Sequence, residues 1–217
     1  MIERMSNVLH FIQAGGIVMI PLLLMSVAAV AIIVERYLTY KQDGDLSPGL
    51  TKRVLRLVED GTVDDAIRAC DARPGPVAAC LSAVMRSREH GVAHAERKVQ
   101  EVGERYFQRL EKFLPILDTT TTIAPLLGLL GTLFGMIGTF QAISVSRTQD
   151  SNDQILSGVG EALYATATGL TVAVICFVAY NYFSARQRAI VGETEQAATS
   201  LINAMVASGA MEEKAVA

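Results

Sequence analysis

The stretch TTTTIAPLLGLLGTLFGMIGTF, residues 119–140, lies between Asp118 and Arg147 and carries no charged side chain. A helix needs about 20 apolar residues to cross the hydrocarbon core of a bilayer, so this stretch reads as a membrane span. Two others match it. The first runs from Gly15 to Val34 and ends abruptly at Glu35-Arg36-Tyr37, an interfacial pattern. The third runs from Ala162 to Phe183, after Glu161 and before Arg186. Within the first run, Ala29-Val30-Ala31 has the small-x-small form of a signal cleavage site. It is followed by Ile32-Ile33-Val34 rather than a polar start, and the run is long for a signal core. The segment is therefore expected to remain as a span.

Of the 217 residues, 51% are hydrophobic, a share that an apolar soluble domain can also reach. The distribution decides: nearly all charges lie between or after the three runs. The formal net charge is −3. No concentrated basic face points to nucleic acid. Cys70, Cys80 and Cys176 have neither metal-ligand nor redox-motif spacing and read as reduced packing thiols. No phosphate-binding glycine-lysine motif is present. His90 and His94 are four apart without a nearby third ligand. No membrane Ser–His or paired-Asp arrangement suggests a protease. An enzyme is not expected, and neither a cofactor nor a metal.

The fold class expected is an all-α integral membrane protein, three transmembrane helices with long helical cytoplasmic extensions. Orientation follows from Lys and Arg. Arg36, Lys41, Lys52, Arg53, Arg56, Arg97, Lys98 and Lys112 flank or fill the segment after the first span, and Arg186 and Arg188 follow the third. The N-terminus is then outside. Residues 1–14 form a short periplasmic start, 15–38 the first span and 39–118 a helical cytoplasmic segment. Residues 119–143 form the second span, 144–154 a short periplasmic loop, 155–184 the third span and 185–217 a cytoplasmic helical tail. Inside 39–118, Leu50 to Val58 has helical spacing and stops at Asp60-Gly61. Thr62 is placed to cap a second helix, with Asp64 and Asp65 in its first turn. Arg73-Pro74-Gly75-Pro76 ends that helix, and a third is expected from Val77 to His90. From Val92 the helical pattern runs into the second span, with a bend expected at Pro115. Unbroken to Ile143, that helix would be about 75 Å long. The third span is expected to continue to about Ser208, and Met211 to Ala217 to fray.

In the second span Gly128, Gly131, Gly135 and Gly138 alternate at spacings of three and four, which puts them on one face. Such a face lets another helix approach closely. Thr121, Gly128, Thr132, Gly135 and Thr139 share nearly one stripe. Two readings stand: packing, with each threonine bonded to its own helix, or a polar lane for ions. In the third span Glu161 is the ionisable group nearest the apolar part of any span. It reads as functional, or as a carboxylate reaching the outer headgroups. Thr168 shares its face, and Thr166 points about 140° away. The three apolar runs hold no Lys, Arg, His or Asp. A proton relay needs a group that gains and loses its proton. Either Glu161 is that group or a second protein supplies it.

At APLLGLLGT (residues 124–132) with Gly135, and at EALYATATGL (residues 161–170), the chain resembles the MotA/TolQ/ExbB proton-channel family, most closely its ExbB/TolQ branch. Ala179-Tyr180-Asn181, the Glu35-Arg36 ending and the three-span order agree. The resemblance implies a pentamer of this subunit around two helices of an ExbD/TolR-like single-span partner carrying a membrane Asp. It implies an ion path through Thr132 and Thr166, with Glu161 as the acidic residue at the outer end. It implies a proton-driven motor of the inner membrane that serves envelope transport or maintenance. Thr168 and Thr171 stand where the branch is usually apolar, so Thr168 is added to the lane. A four-span MotA-like stator fits less well. A non-conducting scaffold, whose Gly and Thr faces only pack, is the alternative.

Overall fold

In the computed structural model the described residues are 16–43, 48–145 and 151–212; at residues 43, 48, 142–145, 151–157 and 161 only the backbone is described. Among them there is no strand. The order is α1 (Met19–Asp43), α2 (Pro48–Glu59), α3 (Val63–Asp71), α4 (Pro76–Arg86), a 3-10 turn (Arg88–His90), α5 (Val92–Glu111), α6 (Leu114–Val145) and α7 (Ser151–Ala207). Three stretches are long and apolar enough to cross a membrane, in α1, in the α5–α6 stretch and in α7. The expected start 1–14 and positions 146–150 of the 144–154 loop lie outside the described residues.

The chain divides into two units. Unit 1 comprises Met1–Val34 and Phe113–Tyr182. Over residues 119–182 it buries mostly small side chains and exposes many large ones. Ala124, Ala162, Ala165 and Cys176 are buried, whereas Leu126, Leu133, Phe140, Leu163, Val174 and Phe177 are each more than half exposed. In water that inversion would be unstable, because exposed apolar area is unfavourable. In lipid it costs nothing, and small residues inside let helix backbones meet.

Unit 2, Glu35–Lys112 and Phe183–Ala217, is built like a water-soluble bundle. Leu50, Val54 and Val58 repeat every four residues along α2 and are all buried. Val77, Leu81, Val84 and Met85 of α4 join them, with Ala197, Leu201 and Met205 of α7 on the same core. Gly61, at φ 77°, stops α2 as the Thr62 amide reaches back to the Leu57 carbonyl at 2.8 Å.

Four local expectations change. Thr62 stands at the start of α3 but does not cap it; its hydroxyl donates to Leu57 O at 3.0 Å, drawn back by the turn that ends α2. The helix from Val77 closes at Arg86, because Ser87 to His90 tighten into a 3-10 turn before Gly91, whose φ is 82°. Met211 is not frayed: its side chain packs into the unit 2 core and its amide donates to Met205 O at 3.1 Å. Residues 213–217 lie outside the described residues. The helix from Val92 is not continuous to Ile143, since α5 ends at Glu111 and α6 begins at Leu114. Pro115 explains the break: it has no N–H to bond the Glu111 carbonyl, and its ring would strike it. Phe113 takes φ 69° to make the turn.

Candidate ion lane on the α6–α7 pair

The site begins with missing side chains. A Cβ built on Gly131 would lie 2.5 Å from Ala165 Cβ, and one on Gly135 would lie 2.8 Å from Ala162 Cβ. One on Gly128 would lie 3.0 Å from Ala165 O. From the α7 side, one on Gly169 would meet Ala124 O at 2.5 Å, and one on Gly158 would collide with Thr139 Oγ1. As numbers rise along α6, their partners fall along α7, so the two helices are antiparallel. Their axes approach as closely as backbone allows. For Gly138, no described atom lies within 4 Å of an added Cβ. Three of the four glycines therefore face α7, and Gly138 does not join that contact among the described residues.

This contact sets where the threonines sit. Thr132 follows Gly131, and Thr166 follows Ala165. In an antiparallel pair of right-handed helices, one step forward on each turns toward the same side of the pair. Thr132 and Thr166 thus share one edge. Thr166 Oγ1 donates across the helices to Gly128 O at 3.0 Å. Thr132 Oγ1 donates within its own helix to Leu129 O at 2.7 Å. Both side chains are part-exposed. Each hydroxyl has used its single hydrogen, which leaves oxygen lone pairs facing outward. Such an edge accepts hydrogen bonds from water or from a protonated carboxyl.

Thr168 is two residues past Thr166 and so turns about 200° from it, away from this edge. Its hydroxyl donates to Tyr164 O at 2.8 Å, and that of Thr171 to Ala167 O at 2.8 Å. Glu161 belongs to α7, but its side chain lies outside the described residues. Thr139 Oγ1 donates to Gly135 O at 2.8 Å and is buried where Gly158 leaves room.

Two features escaped the sequence reading. The first is the α7 half of the contact: Gly158, Ala162, Ala165 and Gly169 repeat at spacings of four, three and four. That pattern complements the α6 glycines and was legible. The second is Arg36. It read as an interfacial charge, yet its side chain is 1% exposed. Its Nη1 donates to the carbonyls of Arg109 at 2.8 Å and Leu110 at 3.2 Å, and Tyr40 OH donates to Leu110 O at 3.1 Å. These are orphan carbonyls at the C-terminus of α5, where a cation is favoured. Arg36 also pairs with Glu35 at 2.5 Å, and Tyr40 stacks on Phe183 with centroids 5.3 Å apart. Nothing in the sequence says that α5 stops beside Arg36.

Among the described residues no cluster of His, Cys, Asp or Glu could hold a metal.

Comparison with known proteins agrees with the residues that carry the resemblance. The family model described as the MotA/TolQ/ExbB proton channel family matches residues 74–196. Biopolymer transport protein ExbB-like 1 of Synechocystis sp. is 32% identical over 178 residues, which cover 77% of this chain and 66% of that protein. The Tol-Pal system protein TolQ of Pseudomonas aeruginosa is 37% identical over 102 residues, 47% of this chain and 42% of that protein. Biopolymer transport protein ExbB of Salmonella typhimurium is 40% identical over 90 residues, 41% of this chain and 34% of that protein.

Proposed function

Because the chain belongs to the MotA/TolQ/ExbB proton channel family, on its ExbB/TolQ branch, we propose that it is the channel and stator subunit of a proton-driven motor in the bacterial inner membrane. It is a multi-pass membrane protein of a channel family, not an enzyme. In this reading several copies, five by resemblance, surround an ExbD/TolR-like partner with one span and a membrane Asp. Protons pass between that Asp and the edge formed by Thr132 and Thr166, with Glu161 at the outer end and Thr168 on the adjoining face. The work done on the partner serves envelope transport or maintenance. The N-terminus is periplasmic, and residues 39–118 and the tail are cytoplasmic, as the Lys and Arg distribution supports.

The observation that carries the reading is the family match over residues 74–196, which includes both glycine–threonine motifs. The shared edge supports it with chemistry. A carboxyl that must gain and lose a proton in a low-dielectric setting needs hydrogen-bond partners in both states. A threonine hydroxyl accepts from the neutral acid and, by rotating, donates to the carboxylate.

One observation favours the scaffold alternative: Thr132, Thr139, Thr168 and Thr171 all bond their own helix carbonyls. Reconstitution separates the two readings. The motor reading expects the chain to co-purify with a single-span protein carrying a membrane Asp, and the pair to give proton flux that an Asp→Asn change in the partner removes. A complex that assembles but never conducts supports the scaffold.

A further inference from the structure

In unit 2 a groove of about 670 Å³ runs between α5 and the C-terminal part of α7. Val99, Phe107 and Val206 are part of its apolar lining, and Glu96, Glu104 and Glu195 stand exposed on its rim. No Lys, Arg or His lines it. Of the nearby α5 cations, Lys98 and Arg105 are held by Glu101, at 2.7 and 2.5 Å, and Arg97 donates to Ala93 O at 3.2 Å. A second, shallower hollow of unit 2, on α2 and α3, has the opposite character. Arg53, Arg68 and Arg73 line it together with Leu57 and Ala69, and Asp65, the one carboxylate in the lining, pairs with Arg68 at 3.4 Å.

We propose that the acidic groove of one copy of this chain receives the arginine face of a second copy. The two surfaces match in kind: each has an apolar floor, and their charged rims are opposite in sign. They lie on different elements, so the contact is head-to-tail. Contacts of that type close into rings when the rotation permits. Opposed rims steer association and fix register, and salt weakens exposed pairs. The inference rests on the homo-oligomer reading above and adds where the soluble units of neighbours meet.

The test uses the full-length chain in nanodiscs, co-expressed as two differently tagged copies. One carries Ala72→Cys beside the arginine face, the other Gln100→Cys on the groove lining. The native thiols of Cys70 and Cys80 are buried, and burial pushes both up to about 11, so they stay protonated and slow to react at pH 7.5. The expected result is a cross-link joining the two tags. Its yield falls at least fivefold when the groove copy carries Glu96→Arg and Glu104→Arg. It recovers when the facing copy also carries Arg53→Glu and Arg68→Glu. No cross-link in particles whose oligomeric mass is unchanged overturns the contact and leaves the homo-oligomer standing. A cross-link indifferent to charge reversal, or one that the paired reversal fails to restore, overturns the charge pairing. Particles that are monomeric throughout overturn both the contact and the reading beneath it.

Discussion

Thr166 gives its hydroxyl hydrogen to a carbonyl on the facing helix, whereas Thr132 gives its own to the turn below. Valine has nearly the same shape and no hydroxyl, so the two positions should respond differently in stability. Thr166→Val removes a bond between helices and should cost about 1 kcal/mol. Thr132→Val should be close to neutral. Thermal unfolding of the purified protein measures the difference; equal effects would contradict the cross-helix bond. Arg36 is a sharper case. Arg36→Met keeps much of the volume but takes the Arg36 donor from the Arg109 carbonyl, while Tyr40 still serves Leu110. A loss of about 1–3 kcal/mol is expected, since an unsatisfied buried acceptor carries its full desolvation penalty. A melting temperature unchanged by Arg36→Met would remove Arg36 from the end of α5.

At the scale of the helix, the glycines of α6 separate into two kinds. Gly131→Ala places a methyl 2.5 Å from Ala165 Cβ, so the helices must part; about 1–3 kcal/mol of destabilisation is expected, and Gly131→Leu should break the pair. Gly138→Ala meets nothing within 4 Å among the described residues and improves helix propensity by up to about 1 kcal/mol. The two alanine variants should therefore shift the unfolding midpoint in opposite directions. If Gly138→Ala also disrupts the protein, Gly138 faces a neighbouring chain or a side chain outside the described residues. Helix identity was legible because charge-free runs and 3.6-residue spacing are local signals. The glycine stripe was legible too, and so was its α7 complement at Gly158, Ala162, Ala165 and Gly169. The break at Lys112–Phe113 was not. Pro115 announced a disturbance, but whether it bends or ends the helix depends on donors from α1 that reach carbonyls 70 and 73 residues away in sequence. The Thr62 cap failed for a local reason: the turn after α2 holds the hydroxyl back toward Leu57 O, to which it donates, and away from the first amides of α3.

For the whole molecule, the two units differ in their solvent, and two measurements follow. Unit 2 holds Cys70 and Cys80 as buried thiols whose pKa values rise from 9.0 to about 11. The folded state then keeps its protons more tightly than the unfolded chain. The stability tied to these groups is present below pH 9 and is lost as pH climbs from 9 through 11. The unfolding midpoint should fall across that window, and less in a Cys70→Ala/Cys80→Ala variant. A fall of the same size in both would assign the effect to other groups. Topology is the second. A cysteine at Ser151 should react with an impermeant reagent added from outside, and one at Glu89, which is exposed in unit 2, only after lysis. The reverse pattern would invert the orientation. The two-unit character was legible as alternating charge-free and charged segments. The lane was legible only as residue types on two stripes. That Thr132 and Thr166 share an edge depends on which face of α6 meets which face of α7, and each helix by itself is silent about that.

The central claim is that this edge carries protons. Its most direct test is proton flux in liposomes holding the chain with the proposed single-span partner, comparing the wild type with Thr132→Val and Thr166→Val. Partner co-purification and oligomeric mass are checked in the same preparations. The account predicts flux reduced to background in either variant while the complex stays intact. Full flux in the Thr132→Val/Thr166→Val double variant, in an intact complex, would contradict it.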